Sequence, residues 1–324
     1  MNSNFWLRCA LPFVAIAAVS ASPLPYNPPK HTQSPPLFDK LTPAELAVEG
    51  QRGTTVERAR SARWQLGENR RLTAALARIG PGRKGIVDAF VLSAGLDSDP
   101  VFGREAREAA RVLSRRYAAA TRTIVLAGSD GHADTSLPTA SPANIAAALA
   151  RIAELMGPED VLVLYATAHG GPFGIVYNDG NEGFGVLGPA RLSALLSELN
   201  IKNRMLLISA CYSGVFVGPL VTPSTAILTA ASTDRTSFGC KSDNDWTFFG
   251  DAVINHALRK PEGFAAAGNE AVAMIAGWET TGNLIPSQPQ SYIGDDARRW
   301  LAALEKTLPP VTPSVGRPAT DALK

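Results

Sequence analysis

Two side chains in this sequence are placed to do nucleophilic chemistry. One is Cys211, in the run Arg204-Met205-Leu206-Leu207-Ile208-Ser209-Ala210-Cys211-Tyr212-Ser213-Gly214, and the other is His169, in the run from Asp160 to Pro172 that ends Ala-His-Gly-Gly-Pro. Each follows a short apolar run that reads as a buried strand, and each is followed closely by glycine. A thiol and an imidazole at equivalent ends of two strands can reach one substrate, which is the basic requirement of catalysis by a cysteine nucleophile. Gly170 has no side chain to block a carbonyl, so its backbone N–H and that of Cys211 are candidates to hold the oxyanion of a tetrahedral intermediate. Taken singly, each residue has a plainer reading: the cysteine as a small buried hydrophobe, the histidine as a packed loop residue. Their joint placement favours the chemical one.

The elements that must position them form an alternating pattern. Continuous apolar runs at Ile86–Ala94, Arg122–Ala127, Val161–Ala166, Met205–Ser209 and Ala226–Ala230 have the character of parallel strands buried on both faces. Between them lie amphipathic segments. Asp99-Pro100 and Ser141-Pro142 each read as an N-cap followed by proline at the first helical position, and further helices are expected over 189–199, 245–258, 262–278 and 295–304. In such alternation the sheet is mainly parallel and helices cover both faces, a three-layer α/β/α sandwich. Ligands of open α/β sheets collect at the carboxyl ends of the strands, where His169 and Cys211 fall.

Around this unit the chain divides by composition. Residues 1–21 read as a signal peptide, with Arg8, an apolar run from Cys9 to Val19 and small residues at Val19-Ser20-Ala21. This implies a periplasmic or secreted protein; an uncleaved membrane anchor is the alternative. Residues 22–37 are a proline-rich linker, 38–84 a charged helical segment serving as collar or propeptide, 85–307 the catalytic domain, and 308–324 a Pro- and Thr-rich tail expected to be disordered. With 31 basic and 29 acidic residues, the net charge of +2 gives no field that would argue for nucleic acid or an anionic membrane. Once the signal is removed no stretch approaches a membrane span. Cys211 and Cys240 then remain, in a compartment where they could also pair as a disulfide.

Other constellations fail. The histidines, His31, His132, His169 and His256, show no zinc-binding spacing, and there is no Cys-x-x-Cys. Ser213 lacks the Gly-x-Ser-x-Gly setting of a serine hydrolase, and the glycines from Gly170 to Gly174 lack the Lys-Ser/Thr of a phosphate loop. No metal and no cofactor is expected.

The blocks AHGGP, SACYSG and TAASTDRTSFGC (Thr229 to Cys240) resemble, in this order, blocks of the legumain (asparaginyl endopeptidase) family of bacterial type, over about Asp88 to Leu258. That resemblance implies a caspase–haemoglobinase-like fold and a cysteine endopeptidase in which Cys211 attacks the scissile carbonyl and His169 transfers protons through a thioester intermediate. Two alternatives accompany it: a transpeptidase or ligase using the same pair, and a catalytically silent caspase-like binding domain. It also places Asp97 near a family asparagine beside the histidine, where Asp97 either orients His169 or only caps a turn. Asp234, Arg235 and Ser237 become candidates for the substrate-pocket loop. Tyr212, a further candidate substrate contact, stands where legumain has an acidic residue that reads asparagine, so asparagine specificity is not carried over.

Overall fold

The computed structural model describes residues 40–128, 137–180 and 182–323. The expected signal peptide and linker, with Cys9 and His31, lie outside the described residues, as does His132.

The main sheet has six strands. In chain order they are β2 (Ala89–Gly95), β3 (Thr123–Leu126), β4 (Val161–Thr167), β8 (Arg204–Ser209), β9 (Thr225–Thr229) and β10 (Gln290–Ile293), arranged β10-β9-β8-β4-β2-β3. All neighbours run parallel except β10, which closes the edge antiparallel to β9. Every residue of β2, β4, β8 and β9 is buried, as expected of strands covered on both faces.

Side chains that alternate along these strands feed two separate cores. Ala89, Val91, Val163, Tyr165, Met205 and Leu207 face one side, against helix α3 (Pro100–Arg116), a helical run from Phe248 to Arg259, helix α6 (Phe264–Thr281) and helix α7 (Asp295–Leu304). Phe90, Leu92, Leu162, Leu164, Leu206 and Ile208 face the other, against α4 (Pro142–Leu155) and α5 (Pro189–Glu198). This is the expected α/β/α sandwich with a mainly parallel sheet. The run from Phe248 starts three residues later than the pattern suggests, because Thr247 caps it by accepting the Gly250 N–H at 2.9 Å. It widens to a π-helix over Asp251–His256.

A second, antiparallel sheet of order β1-β7-β6-β5 lies beside the catalytic edge: β1 (Thr55–Glu57), β5 (Gly170–Gly171), β6 (Gly174–Asp179) and β7 (Gly183–Leu187). A bridge between Asp97 and Asn178 joins it to the loop after β2. The charged segment before residue 84 packs on this layer. Helix α1 (Pro43–Arg52) opens on a Thr42–Glu45 capping box, β1 pairs with β7, and α2 (Ala62–Ala77) is tied to the start of α4 by Glu68. The Glu68 carboxylate accepts from the Thr139 N–H and hydroxyl and from Asn144 Nδ2, while also pairing with Arg71.

The C-terminal tail departs from the expected disorder. Val315 accepts from Trp246 Nε1 at 2.8 Å and donates to Asn255 Oδ1 at 2.8 Å, the Arg317 N–H bonds Asp245, and the Ala319 N–H bonds Asp251. Its backbone is thus satisfied by side chains of the 245–255 region, a long-range pairing that a Pro- and Thr-rich composition does not disclose.

Candidate active site

Strands β4 and β8 are parallel neighbours, and Thr167 stands opposite Ser209. Two residues beyond each lie His169 and Cys211, so the register itself brings the two side chains to the same edge of the sheet. The Ala168 N–H bonds the Ser209 carbonyl at 3.2 Å and extends this alignment one step past the strands.

After Cys211 the backbone turns abruptly. Tyr212 adopts φ 59°, in the left-handed region that a residue with a side chain seldom enters. Its N–H is taken by the Arg235 carbonyl at 2.8 Å, and the chain passes straight into a short 3₁₀ turn, Ser213–Phe216. Strain of this kind at a sharp strand exit leaves the Cys211 side chain at the rim. Gly214 is needed below it, since a Cβ there would stand 2.7 Å from the Ser232 and Thr233 backbone.

Gly170 is equally constrained. A Cβ at this position would lie 2.4 Å from the Cys211 carbonyl oxygen and 3.0 Å from Ala210 Cβ. The two backbones therefore touch. The Val176 N–H donates to the His169 carbonyl, which makes Gly170–Ile175 the non-hydrogen-bonded pair of the β5–β6 hairpin. The Gly170 N–H consequently faces off the open edge of that sheet, beside Cys211.

The Cys211 sulfur rests on the loop after β9. Ser237 donates its N–H to Sγ at 3.3 Å, and its hydroxyl lies 3.6 Å away. A hydrogen bond from the Cys240 thiol is the largest influence lowering the Cys211 pKa; burial opposes it, and the Ser237 contacts and the nearby His169 charge add to the lowering, bringing the thiol to about 6. Cys211 and Cys240 are both free thiols, so no disulfide joins them here.

The His169 ring packs edge-on against Phe102, with centroids 5.0 Å apart. Its Nε2 lies 3.4 Å from Asp99 Oδ2. Burial works against protonation, but the bond to Asp99 and the charges of Asp97, Asp99 and Cys211 outweigh it and raise the imidazole above its ordinary 6.5. The carboxylate that meets the imidazole thus belongs to Asp99, two residues past the expected Asp97. Asp97 is buried and accepts the Asp99 N–H at 2.8 Å, fixing the loop from behind while its charge still acts on the ring. Asp99 heads α3 but makes no side-chain cap, because its carboxylate is turned toward His169 and the Ser242 hydroxyl.

One loop therefore serves both halves of the site. Ser237 touches the Cys211 sulfur and Cys240 acts on its charge, while Ser242 holds the acid beside His169. Arg104 on α3 clamps this loop through the Ser242 and Asn244 carbonyls. Of the candidate pocket residues, Ser237 is drawn into the site itself. Asp234 is largely exposed and held by Ser232, and Arg235 contributes its carbonyl to Tyr212.

Beneath the pair lies Glu105, fully buried and not singled out by the sequence. Its Oε1 accepts from Tyr165 and Thr167 at 2.5 and 2.7 Å, and its Oε2 from the Thr247 N–H and hydroxyl, both at 2.8 Å. Thr247 in turn meets Ser209 at 3.0 Å. A single carboxylate so joins α3, the strand before His169, the strand before Cys211 and the end of the Cys240 loop.

Residues 145–269, which contain His169 and Cys211, match the family model described as Peptidase C13 family. That stretch of the chain is similar to the Peptidase C13 family, the legumain-type cysteine peptidases. Comparison with curated proteins gives no match. The similarity supports a cysteine peptidase in general terms, a family whose substrates are polypeptides. Among the described residues there is no group of three or more His, Cys, Asp or Glu able to hold a metal ion, and no helix long and apolar enough to cross a membrane.

Proposed function

We propose that the chain is an exported cysteine endopeptidase that hydrolyses peptide bonds with Cys211 as nucleophile and His169 as proton carrier. The observation that carries this reading is the in-register placement of the two residues, two positions beyond the paired Thr167 and Ser209, with Gly170 packed on the Cys211 carbonyl. The Cys211 thiolate attacks the scissile carbonyl carbon and forms the C–S bond. The oxygen takes the negative charge and is held by the Gly170 and Cys211 N–H groups. The His169 imidazolium gives its proton to the leaving amine as the C–N bond breaks, which leaves a thioester. Water then attacks the thioester, neutral His169 takes its proton, and the acid product departs as the thiolate reforms. Asp99 stabilises the imidazolium between these steps. Export follows from the signal-like segment 1–21.

The test is digestion of a diverse peptide library by the mature chain under reducing conditions, beside Cys211→Ala and His169→Ala, read by mass spectrometry. Cleavage by wild type and its loss in both variants is the expected result, and the cut sites supply the specificity. Products joined to an added amine would show acyl transfer in place of hydrolysis. A wild-type chain that cuts nothing, or a variant that cuts as well as wild type, overturns the reading.

A further inference from the structure

The loop from Ser237 to Asp245 meets both halves of the site, with the Ser237 N–H on the Cys211 sulfur and the Ser242 hydroxyl on the Asp99 carboxylate. Its middle has no core of its own. Lys241, Ser242 and Asp243 are exposed, so hydrogen bonds and not buried apolar surface hold them in place. Asn244 closes the turn on itself, donating its N–H to the Lys241 carbonyl at 3.0 Å and its Nδ2 to the Gly239 carbonyl at 2.8 Å. Two arginines from outside then fix that turn. Arg104 reaches it from α3 through the Ser242 and Asn244 carbonyls. Arg317 reaches it from the C-terminal segment: its Nη2 donates to the Asp243 carbonyl and to Asp245 Oδ1 at 3.2 Å, and its backbone N–H to Asp245 Oδ2 at 2.7 Å. The segment carrying Arg317 is itself seated on buried groups. Asn255 accepts the Val315 N–H at 2.8 Å and donates to the Val315 carbonyl at 3.0 Å, and Asp251 accepts the Ala319 N–H at 2.7 Å. Buried polar side chains keep such partners, which fixes the backbone on either side of Arg317.

We propose, on the reading that Cys211 and His169 are the reacting pair, that Arg317 is a positioning residue: from the C-terminal segment it pins the 237–245 loop so that Ser237 meets the thiol and Ser242 meets Asp99. The carbonyls of three successive residues, Ser242, Asp243 and Asn244, are all taken by arginine, and the middle one belongs to Arg317. Without it the Asp243 carbonyl and the Asp245 carboxylate are released next to Ser242. Asp99 then loses the fixed hydroxyl that turns it toward His169. A misplacement of about 1 Å, caused far from the reacting atoms, can slow a reaction by about 10²-fold. The ion pair itself lies at the surface and adds little to stability, so its loss is read in the reaction and not in the melting temperature.

The experiment compares full-length mature wild type with Arg317→Ala, beside Arg299→Ala, a control that removes another exposed arginine, one paired with Asp296 on its own helix. Arg317→Ala should lower kcat roughly tenfold with KM within about twofold of wild type. Its 239–245 amides should exchange faster with solvent, while its melting temperature stays with that of Arg299→Ala. The pH midpoint of Cys211 alkylation by iodoacetamide should rise as the Ser237 N–H loosens; it is read on the tryptic peptide 205–235, which holds Cys211 and not Cys240. An Arg317→Ala protein with kcat within about threefold of wild type overturns the proposal, whether or not the loop exchanges faster. A loss that Arg299→Ala reproduces overturns it too, since net charge would then be the cause. If wild type cuts no peptide, the peptidase reading fails and alkylation and exchange decide alone: a raised midpoint with faster exchange keeps Arg317 as the residue that positions the Ser237 donor, and unchanged values overturn it.

Discussion

Replacing Gly170 by alanine adds one methyl group at the point where two backbones touch. The new Cβ would begin 2.4 Å from the Cys211 carbonyl oxygen, and it must retreat by about 0.6 Å merely to reach the 3.0 Å below which real Cβ contacts are essentially unknown. The obstacle is main chain of the residue after a buried strand, which cannot swing aside as a side chain does. The displacement therefore falls on the β5 edge and on the Gly170 N–H. A hydrogen bond of about 2.9 Å lengthened by that amount is at the limit of a useful contact. Loss of one oxyanion donor costs about 10²–10³ in kcat, with little effect on KM. Steady-state cleavage of a peptide found in the library digestion measures this. The melting temperature and the alkylation rate of Cys211 establish that the fold and thiol survive. Gly171→Ala is the matched control, because the three atoms nearest its Cβ all belong to the Phe173 ring, a side chain that can move, and not to backbone. A Gly170→Ala protein with kcat within about threefold of wild type would refute the assignment of this N–H to the oxyanion.

The pH profile should be bell-shaped. Activity needs a Cys211 thiolate, which forms as pH rises through about 6, and an imidazolium at His169, which is lost as pH passes its raised value. Asp99→Asn removes a neighbour that favours the imidazolium, so the alkaline limb of kcat/KM should move to lower pH; an unmoved limb would show that Asp99 does not act on the ring. Glu105→Gln keeps the shape but leaves one acceptor oxygen facing donors that now occupy two, and should lower unfolding stability in urea by about 2–4 kcal/mol. A loss below about 1 kcal/mol would mean that Tyr165, Thr167 and Thr247 find other partners.

The parts of this structure legible in the sequence are those whose burial is written in local composition. The strands carrying His169 and Cys211 are continuous apolar runs, and the Asp99-Pro100 and Ser141-Pro142 starts of α3 and α4 lie where their caps indicate. The β5–β7 meander was hidden because glycines at 170, 171, 174, 183 and 185 read as loop, although its residues are almost all buried. β1 has a single half-buried valine and is held by ladder bonds to β7. Asp99 carries the signature of a cap, and only the tertiary fold turns its carboxylate to His169. Glu105 looks like one more acid on an amphipathic helix. Its donors come from sequence positions 165, 167 and 247, a convergence that no local spacing announces.

Two segments far apart in sequence flank the layer that carries His169 and Cys211: β1 completes the sheet whose far edge is Gly170, and residues 315–319 brace the region that follows the Cys240 loop. These contacts join residues 55–57 to 183–185 and 315 to 246, so their loop-closure entropy must be met before they contribute anything. The stretch 145–269 taken alone would lack both braces, since β1 and residues 315–319 lie outside it.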